Sequence, residues 1–403
     1  MERRLVVAVA FFLFKIVASS KEWNLSRRSP SQNEGLCAQL IQPSGYPCTE
    51  HTVETKDGYL LALQRVSSPR KKDGKVKPYG PPILLQHGLF QAGDSWFLNS
   101  VEQSLGFILA DSGFDVWVAN VRGTHWSHGH TTFSKKDKEF WDWSWQELAL
   151  YDLSEMITYV YKTTSSKIFY VGHSQGTIMA LAAFTQPDIV DMVEAAALLC
   201  PISYLGHISS QFVLRLVSTH LDQMLKAMGI HQLNFRSDFS VHVVDSICND
   251  MDCSDLLNAI TGKNCCFNNS RVDFYLQYEP HPSSLKNLNH LFQMIRKGKF
   301  AMYDYGLLGN LKKYGVFKPP TFDTANIPKS LPLWMGYGGN DALADVTDVK
   351  HILKDLNSKP ELLYLDSYGH LDFIWSVKAK EDVYNDMIRF FGSSGFWGKS
   401  TSF

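Results

Sequence analysis

The sequence predicts an α/β protein with a mainly parallel central sheet, covered by helices and interrupted by a mostly helical insertion. Three observations carry this. Short buried strand patterns alternate with helical ones up to Cys200-Pro201. The alternation stops from about Leu205 to Pro320, where the chain is helical, cysteine-bearing and aromatic. It resumes at Leu331–Tyr337. Alternating strands and helices build parallel sheets buried on both faces.

Taken in order, residues 37–68 read as strand and turn, with Lys56-Asp57-Gly58 separating Glu50–Thr55 from Tyr59–Val66. A basic loop, Pro69–Pro82, precedes a buried strand, Pro82–Gln86, that ends at His87-Gly88. Ser104–Ala110 reads as a helix and Gly113–Ala119 as the next strand. Glu147–Tyr161 has Leu148, Tyr151, Met156, Tyr159 and Val160 at helical spacing, and Ile168–Val171 is the strand that follows. After the insertion come a helix near Val346–Leu356 and a strand, Glu361–Leu365. The resulting division is 1–20 as a signal peptide, 21–204 and 321–403 as two parts of one core, and 205–320 as a helical cap.

At 403 residues the chain can bury a large core, and 45% apolar with 20% charged residues exclude a disordered chain. The net charge of −1 provides no global field for nucleic acid or an anionic membrane. Met1-Glu2-Arg3-Arg4, the apolar run Leu5–Phe14 and the small residues Ala18-Ser19-Ser20 form a secretory signal pattern, too short and interrupted for a bilayer span. Seven cysteines agree with an oxidising compartment, and the odd count leaves at least one thiol free. Cys37 and Cys48 flank a Pro/Gly loop; Cys248, Cys253, Cys265 and Cys266 crowd one region; Cys200 is expected at a buried strand end. No C-x-x-C spacing suggests zinc. Asn268-Asn269-Ser270 is a glycosylation sequon, and Asn24-Leu25-Ser26 another beside the expected cleavage site.

Gly172-His173-Ser174-Gln175-Gly176 carries the chemistry. It lies between a β-prone run and the small-residue helix from Thr177 to Ala183, the strand–turn–helix context of a nucleophile elbow. A serine hydroxyl needs a base, and the base needs an orienting partner. Two later strand-end loops supply them in the expected order: Gly338-Gly339-Asn340-Asp341 and Tyr368-Gly369-His370. Asp345, at a helix start, and Asp366, near His370 in sequence, are rival acids. The N–H groups of Gln175 and of Leu89, in the His87-Gly88-Leu89 loop, are the expected oxyanion donors. His51, His281 and His351 read as surface or turn histidines, and the His125–His130 cluster lacks a carboxylate or cysteine beside it for a metal. The site calls for no cofactor and no metal.

With these residues in place the chain resembles the acid-lipase family of α/β-hydrolases, which includes gastric and lysosomal lipases and plant relatives. Further matching stretches are Asp57-Gly58-Tyr59, Gln86-His87-Gly88-Leu89, Gly113–Trp117, Asn120-Val121-Arg122-Gly123-Thr124, Phe140–Trp145, Ala344-Asp345-Val346 and Gly369–Phe373. The likeness is greatest to the plant members, notably around Ile260–Cys266. Animal members carry Asn where Thr124 stands and space the cap cysteines differently, so their cap disulfide is not transferred to Cys248 and Cys253. The resemblance implies an α/β-hydrolase fold and a secreted, vacuolar or lysosome-like, metal-free serine lipase. It implies cleavage of long-chain neutral-lipid esters, triacylglycerol first, at a lipid–water interface beneath a cap. Cholesteryl-ester hydrolysis, a short-chain esterase and a non-catalytic ligand-binding protein are the alternatives.

Overall fold

The structure, a computed structural model, describes residues 35–69, 71–72, 75–76, 80–234 and 253–394. The signal-peptide stretch, the Asn24 sequon and Cys248 lie outside these residues. Strands β1 (Cys48–Glu54) and β2 (Tyr59–Val66) form an antiparallel hairpin. The Cys37–Cys48 disulfide ties the preceding chain to it. Then follow β3 (Pro82–Gln86), α1 (Leu105–Asp111), β4 (Asp115–Ala119), α2 (Ser154–Thr164), β5 (Ile168–His173), α3 (Gln175–Ala183) and β6 (Val193–Leu199).

Beyond β6 the chain runs through α4 (Gln211–Ser218), α5 (Leu221–Ala227), α6 (Cys253–Thr261), α7 (Val272–Tyr278), α8 (Leu285–Lys297) and α9 (Leu307–Tyr314). One two-residue pairing, Gln232–Leu233 with Ser283–Ser284, interrupts these helices. The sheet resumes with β7 (Leu333–Gly338), followed by α10 (Val346–Asp355), β8 (Glu361–Leu365), α11 (Asp372–Trp375) and α12 (Asn385–Ser393).

The strand order is β1-β2-β4-β3-β5-β6-β7-β8. Along this order the β1/β2 and β2/β4 pairs are antiparallel and the others parallel, and the two residues Gly129–His130 add a short antiparallel pairing on β2. Every residue of β3, β4 and β5 is buried, as expected of central parallel strands covered on both faces. β6 is alanine-rich, with little strand propensity of its own, and is held between β5 and β7.

The helix expected from Glu147 starts earlier, where Ser144 and Glu147 form a capping box. It then passes through a π-helical stretch, Leu148–Leu153, into α2. The extra residue in that turn rotates Tyr151 off the apolar face, and Tyr151 is exposed.

The loop after β4 is locked by a buried cation. Arg122 Nε donates to Asp152 Oδ1 at 2.7 Å and Nη1 to Asp57 Oδ2 at 2.6 Å, with the guanidinium 3.8 Å above the Tyr59 ring. Burial opposes its charge, but Asp152 and Asp57 hold it protonated. Arg122→Ala would leave Asp152, which has no exposed surface, without its counter-ion. Such breaks cost about 3–5 kcal/mol. The expected result is a lower unfolding midpoint in a urea titration of the purified chain.

Candidate active site

Ser174 lies in the sharp turn between β5 and α3, at φ 54° and ψ −117°, a conformation that costs a non-glycine residue about 1–3 kcal/mol. The turn is tolerated because its neighbours are small: a Cβ at Gly176 would stand 2.6 Å from the Gln86 carbonyl oxygen. Ser174 N–H donates to the Leu199 carbonyl of β6 at 3.0 Å, fixing the turn over the strand ends.

The structure brings Ser174, His370 and Asp341 into one chain of hydrogen bonds. His370 Nε2 lies 2.7 Å from Ser174 Oγ, and His370 Nδ1 lies 2.8 Å from Asp341 Oδ2. A carboxylate only accepts, so Nδ1 carries the proton and Nε2 turns its lone pair to the serine hydroxyl. Asp341 Oδ1 accepts from the N–H groups of Leu343 and Ala344 at 2.9 and 2.8 Å, so both oxygens are engaged. Burial pushes against its charge, but His370 and these N–H donors outweigh it and hold the carboxyl below its ordinary value. All three side chains are buried.

The rival acids do not reach His370. Asp345 caps α10 by accepting from Thr347 N–H at 2.7 Å, and Asp366 accepts from the Tyr364 hydroxyl at 2.9 Å. Among the described residues, the backbone N–H groups of Leu89 and Gln175 donate to no protein acceptor. Both flank the serine: a Cβ on Gly88 would come within 3.0 Å of Ser174 Cβ.

Other groups hold the His370 loop. His173 Nε2 donates to the His370 carbonyl at 3.0 Å, since that oxygen can only accept. Burial drives the His173 imidazole down to about 3, so it stays neutral. Cys200, buried and free just after β6 as expected, donates Sγ–H to the same carbonyl. The buried Asp372 carboxylate accepts from Gly369 N–H at 2.8 Å and from Cys265 and Cys266 N–H at 2.9 and 3.1 Å. Cys265 and Cys266 are bonded to each other.

The inserted helical stretch contributes two contacts that periodicity does not reveal. First, Thr261-Gly262 wedges between the two loops: its Thr261 carbonyl accepts from both His370 N–H and Ala342 N–H at 3.3 Å, and Gly262 pairs with Asp341. Gly262 has φ +92°, and a Cβ there would stand 1.9 Å from the Asn340 carbonyl oxygen. Second, His281 lies in the connection between α7 and α8 but is not a surface histidine; it is 1% exposed. Its N–H donates to the Phe90 carbonyl at 2.7 Å, one residue past Leu89. Its Nδ1 accepts from His125 N–H at 3.0 Å, so Nε2 bears the proton and donates to Asp94 Oδ2 at 2.9 Å. Trp126 Nε1 donates to the same oxygen. The signal was the run His125-Trp126 together with Glu279-Pro280-His281, but nothing local says they meet.

Within the His125–His130 run, His130 Nδ1 accepts from the N–H groups of Thr132 and Phe133. Asn268 caps a short turn, with Oδ1 accepting from Ser270 N–H and hydroxyl. No helix among the described residues is long and apolar enough to cross a membrane.

Two family models match this chain: a partial alpha/beta-hydrolase lipase region over residues 37–100, and the alpha/beta hydrolase fold over residues 81–377. Triacylglycerol lipase 1 of Arabidopsis thaliana is 62% identical over 390 residues, covering 96% of this chain and 97% of that one. Human gastric triacylglycerol lipase is 36% identical, covering 87% and 89%. Human lysosomal acid lipase/cholesteryl ester hydrolase is 33% identical, covering 96% and 98%. Among solved structures, a soluble variant of monoglyceride lipase from Saccharomyces cerevisiae superposes with a TM-score of 0.55 at 15% identity, over 86% of this chain and 96% of that one, a likeness of fold. On the sheet order, the elbow and these matches, the chain belongs to the α/β-hydrolase fold family, in its lipase branch.

Proposed function

We propose that this protein hydrolyses the ester bonds of neutral lipids, triacylglycerol first, through an acyl-enzyme on Ser174. The observation that carries the reading is the unbroken chain Ser174 Oγ–His370 Nε2–His370 Nδ1–Asp341 Oδ2. Ser174 Oγ attacks the ester carbonyl as His370 Nε2 takes its proton. Asp341 stabilises the imidazolium, and the N–H groups of Leu89 and Gln175 receive the oxyanion. His370 then returns the proton to the leaving glyceride oxygen. Water, deprotonated by His370, attacks the acyl-serine and frees the fatty acid. No cofactor enters these steps.

Residues 205–320 serve as the cap over the acyl chain, a role supported by the direct hydrogen bond from Asn287 on α8 to Gln175 Oε1 at 2.8 Å. The leader pattern at 1–20, the cysteine usage and the Asn268 sequon support passage through a secretory lumen, with removal of the leader and a glycan on Asn268. Cholesteryl esters are the second substrate class, favoured by the lysosomal relative whose name includes that activity. The test is fatty-acid release by the purified protein and by Ser174→Ala from emulsified triacylglycerol, cholesteryl ester and a soluble short-chain p-nitrophenyl ester. Serine-dependent release from triacylglycerol supports the reading; turnover of the short ester alone reduces it to an esterase, and no release overturns it.

The His281 side chain acts in this scheme as a positioning group for the oxyanion loop, through its bonds to His125 N–H and Asp94, which His281→Ala removes while the backbone bond to Phe90 stays. Loss of one oxyanion donor costs 10²–10³ in kcat. Loosening the loop by His281→Ala should therefore lower kcat on the soluble ester roughly 10- to 100-fold, with KM within about threefold. A merely structural role would lower the unfolding midpoint and leave kcat unchanged.

A further inference from the structure

Five of the twelve large apolar side chains exposed among the described residues fall within eleven positions of one segment. Leu307, Leu308 and Leu311 on α9, with Val316 and Phe317 in the turn after it, are all exposed, Leu308 by 81% and Phe317 by 57%. The helix does not owe its position to them. Its inner face is held by polar bonds: Asn310 Nδ2 donates to Asp304 Oδ1 at 2.7 Å and to the Phe317 carbonyl at 3.1 Å, and the Tyr314 hydroxyl donates to the Tyr303 carbonyl at 2.9 Å. Asn310 and Tyr314 are one turn apart, so Leu308 and Lys312 fall on the opposite, outward face. A folded monomer gains nothing by holding such a cluster in water, and clusters of this kind mark interaction surfaces.

The charge around the cluster selects the partner. Lys312, Lys313 and Lys318 are exposed among these apolar residues, and no Asp or Glu occurs between Asp304 and Asp323. Apolar side chains interleaved with lysine, free of acids, complement a lipid surface with an acyl interior and anionic headgroups. Position agrees. Contacts lead from the nucleophile's neighbour to this helix in steps: Gln175 to Asn287, the adjacent Lys286 Nζ 4.9 Å over the Tyr305 ring, and Tyr305 to Tyr314 at 5.8 Å between ring centres.

We propose that α9 and the Gly315–Lys318 turn are the surface by which this protein docks on a phospholipid-covered lipid phase, with Leu308, Leu311 and Phe317 entering the acyl layer and Lys312, Lys313 and Lys318 meeting anionic phospholipid headgroups. The surface serves the hydrolase proposed above and rests on that reading for its purpose, but docking is measured without chemistry.

The test uses the full chain carrying Ser174→Ala, floated with vesicles of phosphatidylcholine alone and of equimolar phosphatidylcholine and phosphatidylglycerol. The parent chain should bind the anionic vesicles more tightly, and salt should weaken that binding. Leu308→Asp with Phe317→Asp should weaken binding at least tenfold on both. Lys312→Ala, Lys313→Ala and Lys318→Ala together should remove about ten- to a hundredfold on the anionic vesicles only. In the Ser174 chain, these variants should keep turnover of a soluble short-chain ester and lose it on a triacylglycerol emulsion. Three outcomes overturn the proposal: unchanged vesicle binding in the variants, no binding by the parent, or a parent dimer that Leu308→Asp with Phe317→Asp dissolves. The last would assign the face to a second copy of this chain. Vesicle binding that follows the variants, without serine-dependent hydrolysis of any ester, would leave the surface standing and remove the catalytic reading.

Discussion

Ser174→Ala is expected to lower kcat on a triacylglycerol emulsion by on the order of 10⁵–10⁶, leaving the unfolding midpoint where it was. The stability half follows from local geometry. Alanine occupies the same left-handed backbone region as serine with the same strain, and the Ser174 N–H bond to Leu199 is a backbone bond that any residue but proline makes. The catalytic half follows because Ser174 Oγ, the atom alanine lacks, is the one that hydrogen-bonds His370 Nε2, at 2.7 Å. Rates measured by fatty-acid titration and melting followed by circular dichroism check both halves. Residual turnover within tenfold of the parent would remove Ser174 from the nucleophile role.

Asp341→Asn should cost roughly 10⁴ in kcat, because it forces the wrong imidazole tautomer. Leu343 and Ala344 present N–H groups to Oδ1, so an asparagine would place its oxygen there and its NH₂ toward His370. His370 Nδ1 would then have to accept, and Nε2 would carry the proton, leaving no lone pair for the serine hydroxyl. Asp345→Asn and Asp366→Asn should stay within about twofold, since asparagine caps a helix as well as aspartate does and Asp366 lies away from the imidazole. The reverse pattern would reassign the acid. The pH dependence has a definite sign. The folded Asp341 carboxyl lies below its ordinary value of 3.8, so its contribution to stability is complete above that value. It is lost as pH falls through the lower folded value, and Asp341→Asn should flatten that part of a stability–pH curve.

Much of the frame was legible because the central strands are short apolar runs bounded by glycine and proline. The strands at Pro82–Gln86 and Glu361–Leu365 have the bounds the pattern predicts. The loops bearing Ser174, Asp341 and His370 were legible for the same reason: each follows such a run directly. β6 was harder to place, since alanines carry little strand preference and only its neighbours make it a strand. The register of Tyr151 was lost to a π-turn that no spacing rule anticipates. His281 was misread because its burial depends on Asp94 and His125, which are 187 and 156 residues away. Local patterns report which face of an element is apolar; they do not report which distant loop a connection such as that bearing His281, between α7 and α8, is laid against.

The Thr261-Gly262 wedge bears on how proteins of this build can diversify. A cover attached only at its two ends could be exchanged between relatives as a cassette, with substrate range changing and the chemistry untouched. Here the inserted helical stretch, proposed above as the cover, also supplies a backbone carbonyl to the histidine loop and a glycine that lets the acid loop pass. A transplanted cover lacking that dipeptide would therefore slow the chemical step on every substrate alike. The first places to vary for new specificity are the helices away from this joint, with Thr261 and Gly262 kept as a fixed seam.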